Sequence, residues 1–179
     1  MRAIRTVGWR KKARRCFRDA QDGAAAVEFA LVALPFLLLL LATLETFVVF
    51  FAMSDLEGAV NEASRLIRTG QVQNGGLTEA QYKQIICDRF FLASDCNANL
   101  RIDVRTFQNF NNVNFDNPLT VTGDLRNDFI FQPGLAGDIV LVRAFYSWKI
   151  AVPGNIGLDN MAGGKRLLSA SMAFRNEPF

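Results

Sequence analysis

The chain has 179 residues, half of them hydrophobic, with a formal net charge of +3 and no histidine at all. That length suits one modest domain plus a further segment. The missing histidine removes Ser-His-Asp and Cys-His nucleophile sets and the usual zinc sites, and the absence of a G-x-x-x-x-G-K-S/T loop removes a P-loop ATPase.

The charge is split sharply along the chain. Residues 1–22 carry Arg2, Arg5, Arg10, Lys11, Lys12, Arg14, Arg15 and Arg18 against Asp19 and Asp22, a local charge of +6, so the remainder sums to −3. Directly after this leader, from Ala24 to Met53, the only ionisable residues are Glu28 and Glu45. A bilayer core about 30 Å thick needs roughly 20 apolar residues in a helix, and Ala30 to Phe51 alone meet that length. Basic residues beside a span stay on the cytoplasmic side, so the N-terminus is expected inside and the chain beyond the span outside. Topology accounts for the basic cluster, and no nucleic-acid partner is expected from it. A cleaved secretory signal has an apolar core of about 7–15 residues and a prompt A-x-A site. This run is longer and lacks that site, so it is read as a retained anchor.

Within the anchor, Glu45 lies towards the outer third. An intramembrane carboxylate is by default a contact or functional site. It faces another helix, is protonated, or reaches up to the outer headgroups. Thr43 and Thr46 can absorb some of that polarity. Pro35 removes the helix bond to the Leu31 carbonyl and is expected to bend or loosen the helix. Past the membrane, Ala52, Leu56, Ala59, Ala63 and Leu66 recur at three- and four-residue spacing, which predicts an amphipathic continuation of one helix over 24–69. Gly70 and the Asn74-Gly75-Gly76 run break it.

Residues 78–92 read as a second helix. Thr78 with Gln81 makes a capping box, and Tyr82, Ile85, Ile86 and Phe90 supply an apolar stripe. From about residue 99 the pattern is β. Leu100, Ile102 and Val104 alternate with Arg101, Asp103 and Arg105; Ile139 to Ile150 is long and β-branched enough for a central strand; Leu167 to Phe174 follows the Gly163-Gly164 turn. Polar alternate positions predict an antiparallel sheet with one wet face. The Asn-rich stretch Gln108 to Pro118 reads as a loop, and there are no internal repeats. The fold class is therefore α+β: one long N-terminal transmembrane and stalk helix, then a small external domain with a second helix and an antiparallel sheet. The organisation is a basic leader at 1–23, the helix with its amphipathic extension at 24–69, and the domain at 70–179.

Cys16 lies in the leader, where thiols stay reduced, while Cys87 and Cys96 lie in the external part, where disulfides persist. Those two are expected to pair and close a short loop; two free buried thiols are the alternative. They lack the C-x-x-C spacing of redox catalysts. Asp103, Asp116, Asp124, Asp128 and Asp138 are scattered and read as solvated loop acids rather than a catalytic set. No catalytic residues, metal or cofactor are expected, and the chain is read as a non-enzyme.

The junction Gly23-Ala24-Ala25-Ala26-Val27-Glu28-Phe29 stands between the basic leader and the apolar helix. It resembles the prepilin cleavage site of the Flp/Tad (type IVc) pilus system, and the run from Gly23 to Gln71, with the ending LLSASMAFRNEPF, looks like the TadE-like family of pilus-assembly proteins. The middle, 71–160, carries no such resemblance. The von Willebrand-type domain of some relatives, with its D-x-S-x-S metal site, is absent. The resemblance implies a minor pilin or pseudopilin of the bacterial inner membrane, with a periplasmic C-terminal domain, that takes part in assembling a Flp/Tad-type pilus for adhesion or secretion. A membrane aspartyl prepilin peptidase would cut between Gly23 and Ala24, leaving Glu28 at the fifth mature position followed by Phe29. Glycine lets a protease take the backbone extended and close against it; a plain turn before the helix is the bland alternative. Glu28 would pair with the new α-amino group of Ala24, on its own chain or a neighbour's, or would be a wetted interfacial carboxylate stabilised by the positive helix N-terminus. The implied partners are the lipid bilayer, the peptidase, other pilus subunits and the Tad machinery. Two other functions stay open: an unprocessed membrane-anchored scaffold of the same secretion apparatus, and a membrane-tethered periplasmic enzyme.

Overall fold

The computed structural model describes residues 22–151 and 158–179. The leader therefore lies outside the described residues, apart from its last two positions. The chain divides into two compact units between Leu41 and Ala42.

One helix, α1 (Asp22–Arg68), runs without interruption through Pro35. Ala, Leu and other good helix formers dominate it, and Thr46 returns its hydroxyl to the Ala42 carbonyl at 2.8 Å. The helix stops where the sequence predicts. Gly70 has φ 76°, in the left-handed region, and its amide bonds the Ile67 carbonyl at 3.0 Å. A side chain there would also strike the Phe179 ring. The C-terminal tail closes on this helix end: the Glu177 amide donates to the Arg68 carbonyl at 2.9 Å, and their side chains pair.

A single turn, α2 (Gln71–Asn74), leads to α3 (Glu79–Arg89). The Thr78–Gln81 capping box forms in both directions. Tyr82, Ile86 and Phe90 of the predicted stripe are buried. A short turn, α4 (Cys96–Asn99), feeds the sheet. Cys87 and Cys96 are joined by a disulfide between α3 and α4, with Cα atoms 5.6 Å apart.

Three antiparallel strands, β1 (Leu100–Phe107), β2 (Ile139–Lys149) and β3 (Lys165–Arg175), lie in the order β1-β2-β3. Alternation puts Leu100, Ile102, Val104, Val140, Val142, Ala144, Tyr146, Leu168 and Ala170 into one core cluster. Val49, Ala52, Leu56, Ala59, Val60, Ala63 and Ile67 of α1 complete that cluster from the helix side. The amphipathic half of the helix is thus a core element. Its alanines keep the helix low on the sheet, and the periodicity of three and four keeps the stripe on one face.

The far face of the sheet is wet along β3, where Ser169, Ser171 and Ala173 are exposed, but over β1 and β2 it differs from the wet face that the sequence predicts. Ile139, Leu141, Arg143 and Phe145 are buried there, and Asp103 has no exposed surface. The cover is the long connection between β1 and β2. Apart from a 3-10 turn at Phe110–Asn112 and isolated bridges, it has no regular structure. The Asp116 carbonyl accepts from Arg143 Nη1 at 2.9 Å, the Ile130 amide donates to Asp103 Oδ1 at 3.1 Å, and Phe129 stacks on Phe145 with centroids 5.3 Å apart. Val104 exchanges backbone bonds with Ile130 and Gln132, so this segment also pairs with the edge of β1. Asp103 is therefore not a solvated loop acid. It faces Arg143 directly across β1 and β2, pairs with that guanidinium, and accepts from Arg105 Nε at 2.9 Å. Arg101 stays exposed, but Asp103 and Arg105, which read as wet because each alone is polar, are neutralised together with Arg143 of β2.

A buried ion pair is worth little against an apolar replacement, but breaking it strands a charge. Asp103→Ala is expected to cost about 3–5 kcal/mol. Asp103→Leu combined with Arg143→Met should lose far less than the sum of the single changes. Denaturant titration in detergent across the double-mutant cycle checks this; additive losses would contradict it. Removing the disulfide by Cys87→Ser should cost roughly 2–3 kcal/mol in the chain-entropy model. Thiol labelling of exported protein without reductant should find both cysteines blocked, and two labelled thiols would refute the bridge.

Candidate functional site

The first half of α1 is largely exposed. Val27, Phe29, Leu31, Val32, Leu34, Phe36, Leu37 and Leu39 are all exposed, Phe29 at 74%. These residues point in every direction around the helix, so no single neighbouring face would cover them. Within the described residues this is the one helix long and apolar enough to cross a membrane. Counting from Ala24 to Leu44 at 1.5 Å per residue gives roughly 30 Å, the thickness of a hydrocarbon core.

The predicted junction residues head this segment. Gly23, Ala24, Glu28 and Phe29 are helical and exposed. An added Cβ at Gly23 would meet nothing within 4 Å, so no packing inside the chain demands a glycine there. Glu28 lies one helical turn after Ala24, on the same face, because residues four apart are neighbours.

Glu45 marks the change of environment. It is only 8% exposed, and its Oε1 accepts from the Ala151 amide at 2.5 Å. Ala151 follows β2, where the strand ladder has ended and its N–H would otherwise lack a partner. The carboxylate thus has a partner 106 residues away in its own chain rather than only in a neighbouring helix. One turn later, Val49 is the first α1 residue in the core cluster. On the opposite side of the helix Phe47, Phe50 and Phe51 remain exposed. That stripe turns polar at Ser54, Gly58 and Asn61, beside shallow open grooves between α1 and β3.

The sequence reading missed the Phe47, Phe50 and Phe51 stripe. Its signal was the three- and four-residue spacing of the phenylalanines, ending at a serine. The Ala151 amide had no comparable signal.

Nothing else described gathers into a reactive site. No group of three or more Cys, Asp or Glu side chains among the described residues is placed to hold a metal. Asp103 is enclosed and taken up by two guanidinium groups, and Asp128 is an exposed acid held below its usual range by its hydrogen bond to Arg126. Burial pushes the Tyr82 phenol well up, with the nearby Ser64 hydroxyl offsetting only part of that, so Tyr82 stays protonated in the core.

No curated protein and no solved structure matches the chain. Residues 23–65 match a family model, that of the TadE-like proteins. The matched segment, 43 of the 179 residues, opens at the glycine of the junction and takes in both carboxylates of the apolar run together with most of the helix packed on the sheet.

Proposed function

We propose that this chain is a TadE-like minor pilin or pseudopilin that takes part in assembling a Flp/Tad-type pilus. The supporting observation is a helix matched to the family model whose first 20 or so residues (the length of a span) are apolar and exposed all round. Such a surface needs either lipid or other helices. In this reading it has lipid first and neighbouring subunits afterwards. Helix association in lipid relies on close packing and polar contacts rather than on the hydrophobic effect, and Ala24, Ala25, Ala26, Ala30 and Ala33 allow close approach.

The basic leader stays in the cytoplasm of a bacterial inner membrane, and the α+β domain is periplasmic. A prepilin peptidase cuts between Gly23 and Ala24. The amine so created lies one turn from Glu28, which it can neutralise in its own chain or in the next subunit. Such pairing removes the several kcal/mol that a lone carboxylate costs in lipid. The chain acts by assembling with other pilus subunits and the Tad machinery, not by catalysis.

Mass spectrometry of the membrane form is expected to find a product beginning at Ala24. Gly23→Arg should abolish that product while leaving membrane insertion intact, because the change lies outside the apolar core. An intact leader in the wild-type protein would favour an unprocessed scaffold of the same apparatus. A shortened species from Gly23→Arg would show that the assigned bond is wrong.

A further inference from the structure

The β2–β3 hairpin carries an arrangement that neither folding nor pilus assembly explains. At its end Lys149 and Lys165 stand directly opposite each other in the antiparallel register, and Trp148 stands opposite Arg166. Like charges directly opposite in a sheet destabilise it. Among the described residues neither lysine is in an ion pair, and both are exposed. Arg166 is tied back to the Leu158 carbonyl at 2.9 Å, which holds its charge at this end. Between Ile150 and Arg166 the sequence offers one acidic residue, Asp159, against these three cations. The residues that continue from Lys149, Ile150 to Leu158, carry no charge at all.

The same end of the sheet is fixed along α1 by the Glu45–Ala151 bond. At that level the helix still exposes Phe47, Phe50 and Phe51, and its outer face turns polar only at Ser54. From Ala24 to Phe51 the apolar surface is about 40 Å long at 1.5 Å per residue, which exceeds a hydrocarbon core and equals a bilayer with its headgroup zones. The level of Glu45 to Phe51 then falls in the headgroup zone. Trp148 is half-buried beside Tyr146, with ring centroids 6.3 Å apart. A tryptophan with an apolar body and a polar N–H, flanked by cations, is the side-chain set that lipid interfaces favour.

We infer that the hairpin end formed by Trp148, Lys149, Lys165 and Arg166 binds anionic phospholipid headgroups of the bilayer that α1 crosses. The inference rests on the membrane-spanning reading of α1. Phosphate groups supply the counter-charge that the facing lysines lack among the described residues, and basic side chains near an anionic surface are attracted over about a Debye length.

The test uses the full chain with Trp9→Phe, which leaves Trp148 as its only tryptophan. The protein is reconstituted into phosphatidylcholine vesicles with or without phosphatidylglycerol, each containing lipids brominated near the headgroup end of the acyl chains. Trp148 fluorescence is expected to be lost to the bromines, more strongly with phosphatidylglycerol. Lys149→Glu with Lys165→Glu should reduce that loss to the phosphatidylcholine level, as should added salt. Equal quenching with and without the anionic lipid, or no effect of charge reversal, overturns the proposal. A second probe, Phe36→Trp with both native tryptophans changed to Phe, reports on α1 through deeply placed bromines. Quenching of this probe without quenching of Trp148 overturns the hairpin contact alone, leaving a protein partner for that end; quenching of neither overturns the membrane reading as well.

Discussion

Between Leu44 and Val49 a single helix passes from exposed side chains to side chains sealed against a sheet. Nothing interrupts the helix there, so its hydrogen bonds continue while its surroundings change. The rest of the structure depends on that continuity. The apolar half is exposed along most of its length, and the packed half cannot leave the sheet without exposing Ala52, Leu56, Val60 and Ile67. Glu45 stands at the change, where a carboxylate is costly on one side and satisfied on the other. By accepting the Ala151 amide it ties the exit of the central strand to the helix at that point.

The domain is small, and it compensates with closure rather than with a large core. The helix covers one face of the three-stranded sheet. An irregular connection covers the other over β1 and β2, held by the Asp103–Arg143 pair and by the Phe129–Phe145 stack. The disulfide joins two short helices that lead into β1, and the C-terminal tail closes the end of α1. Each of these devices ties down a segment that has little regular structure of its own.

Much of this was legible in the sequence because it follows local rules. Apolar length located the bare half of α1, and spacing of three and four located the packed half. Gly70 ended the helix through a conformation that favours glycine, and Thr78 with Gln81 capped the next one. Strand alternation located all three strands to within a few residues. What stayed hidden depended on distant partners. Asp103 and Arg105 look like a wet face until Arg143 and the segment around Ile130 are brought over them. Glu45 looks like a membrane carboxylate until Ala151 arrives from beyond β2. The junction at Gly23 was legible as a resemblance, and the family match begins at that residue.

The account predicts a defined sidedness. Val121 is fully exposed on the connection that covers the sheet. With Cys16→Ser and Val121→Cys, the only unpaired thiol belongs to the domain. In intact spheroplasts a membrane-impermeant maleimide should label it at once if, as proposed, the basic leader is inside and the domain outside. Labelling that appears only after the membrane is opened, or a protein recovered in the soluble fraction without detergent, would contradict the account.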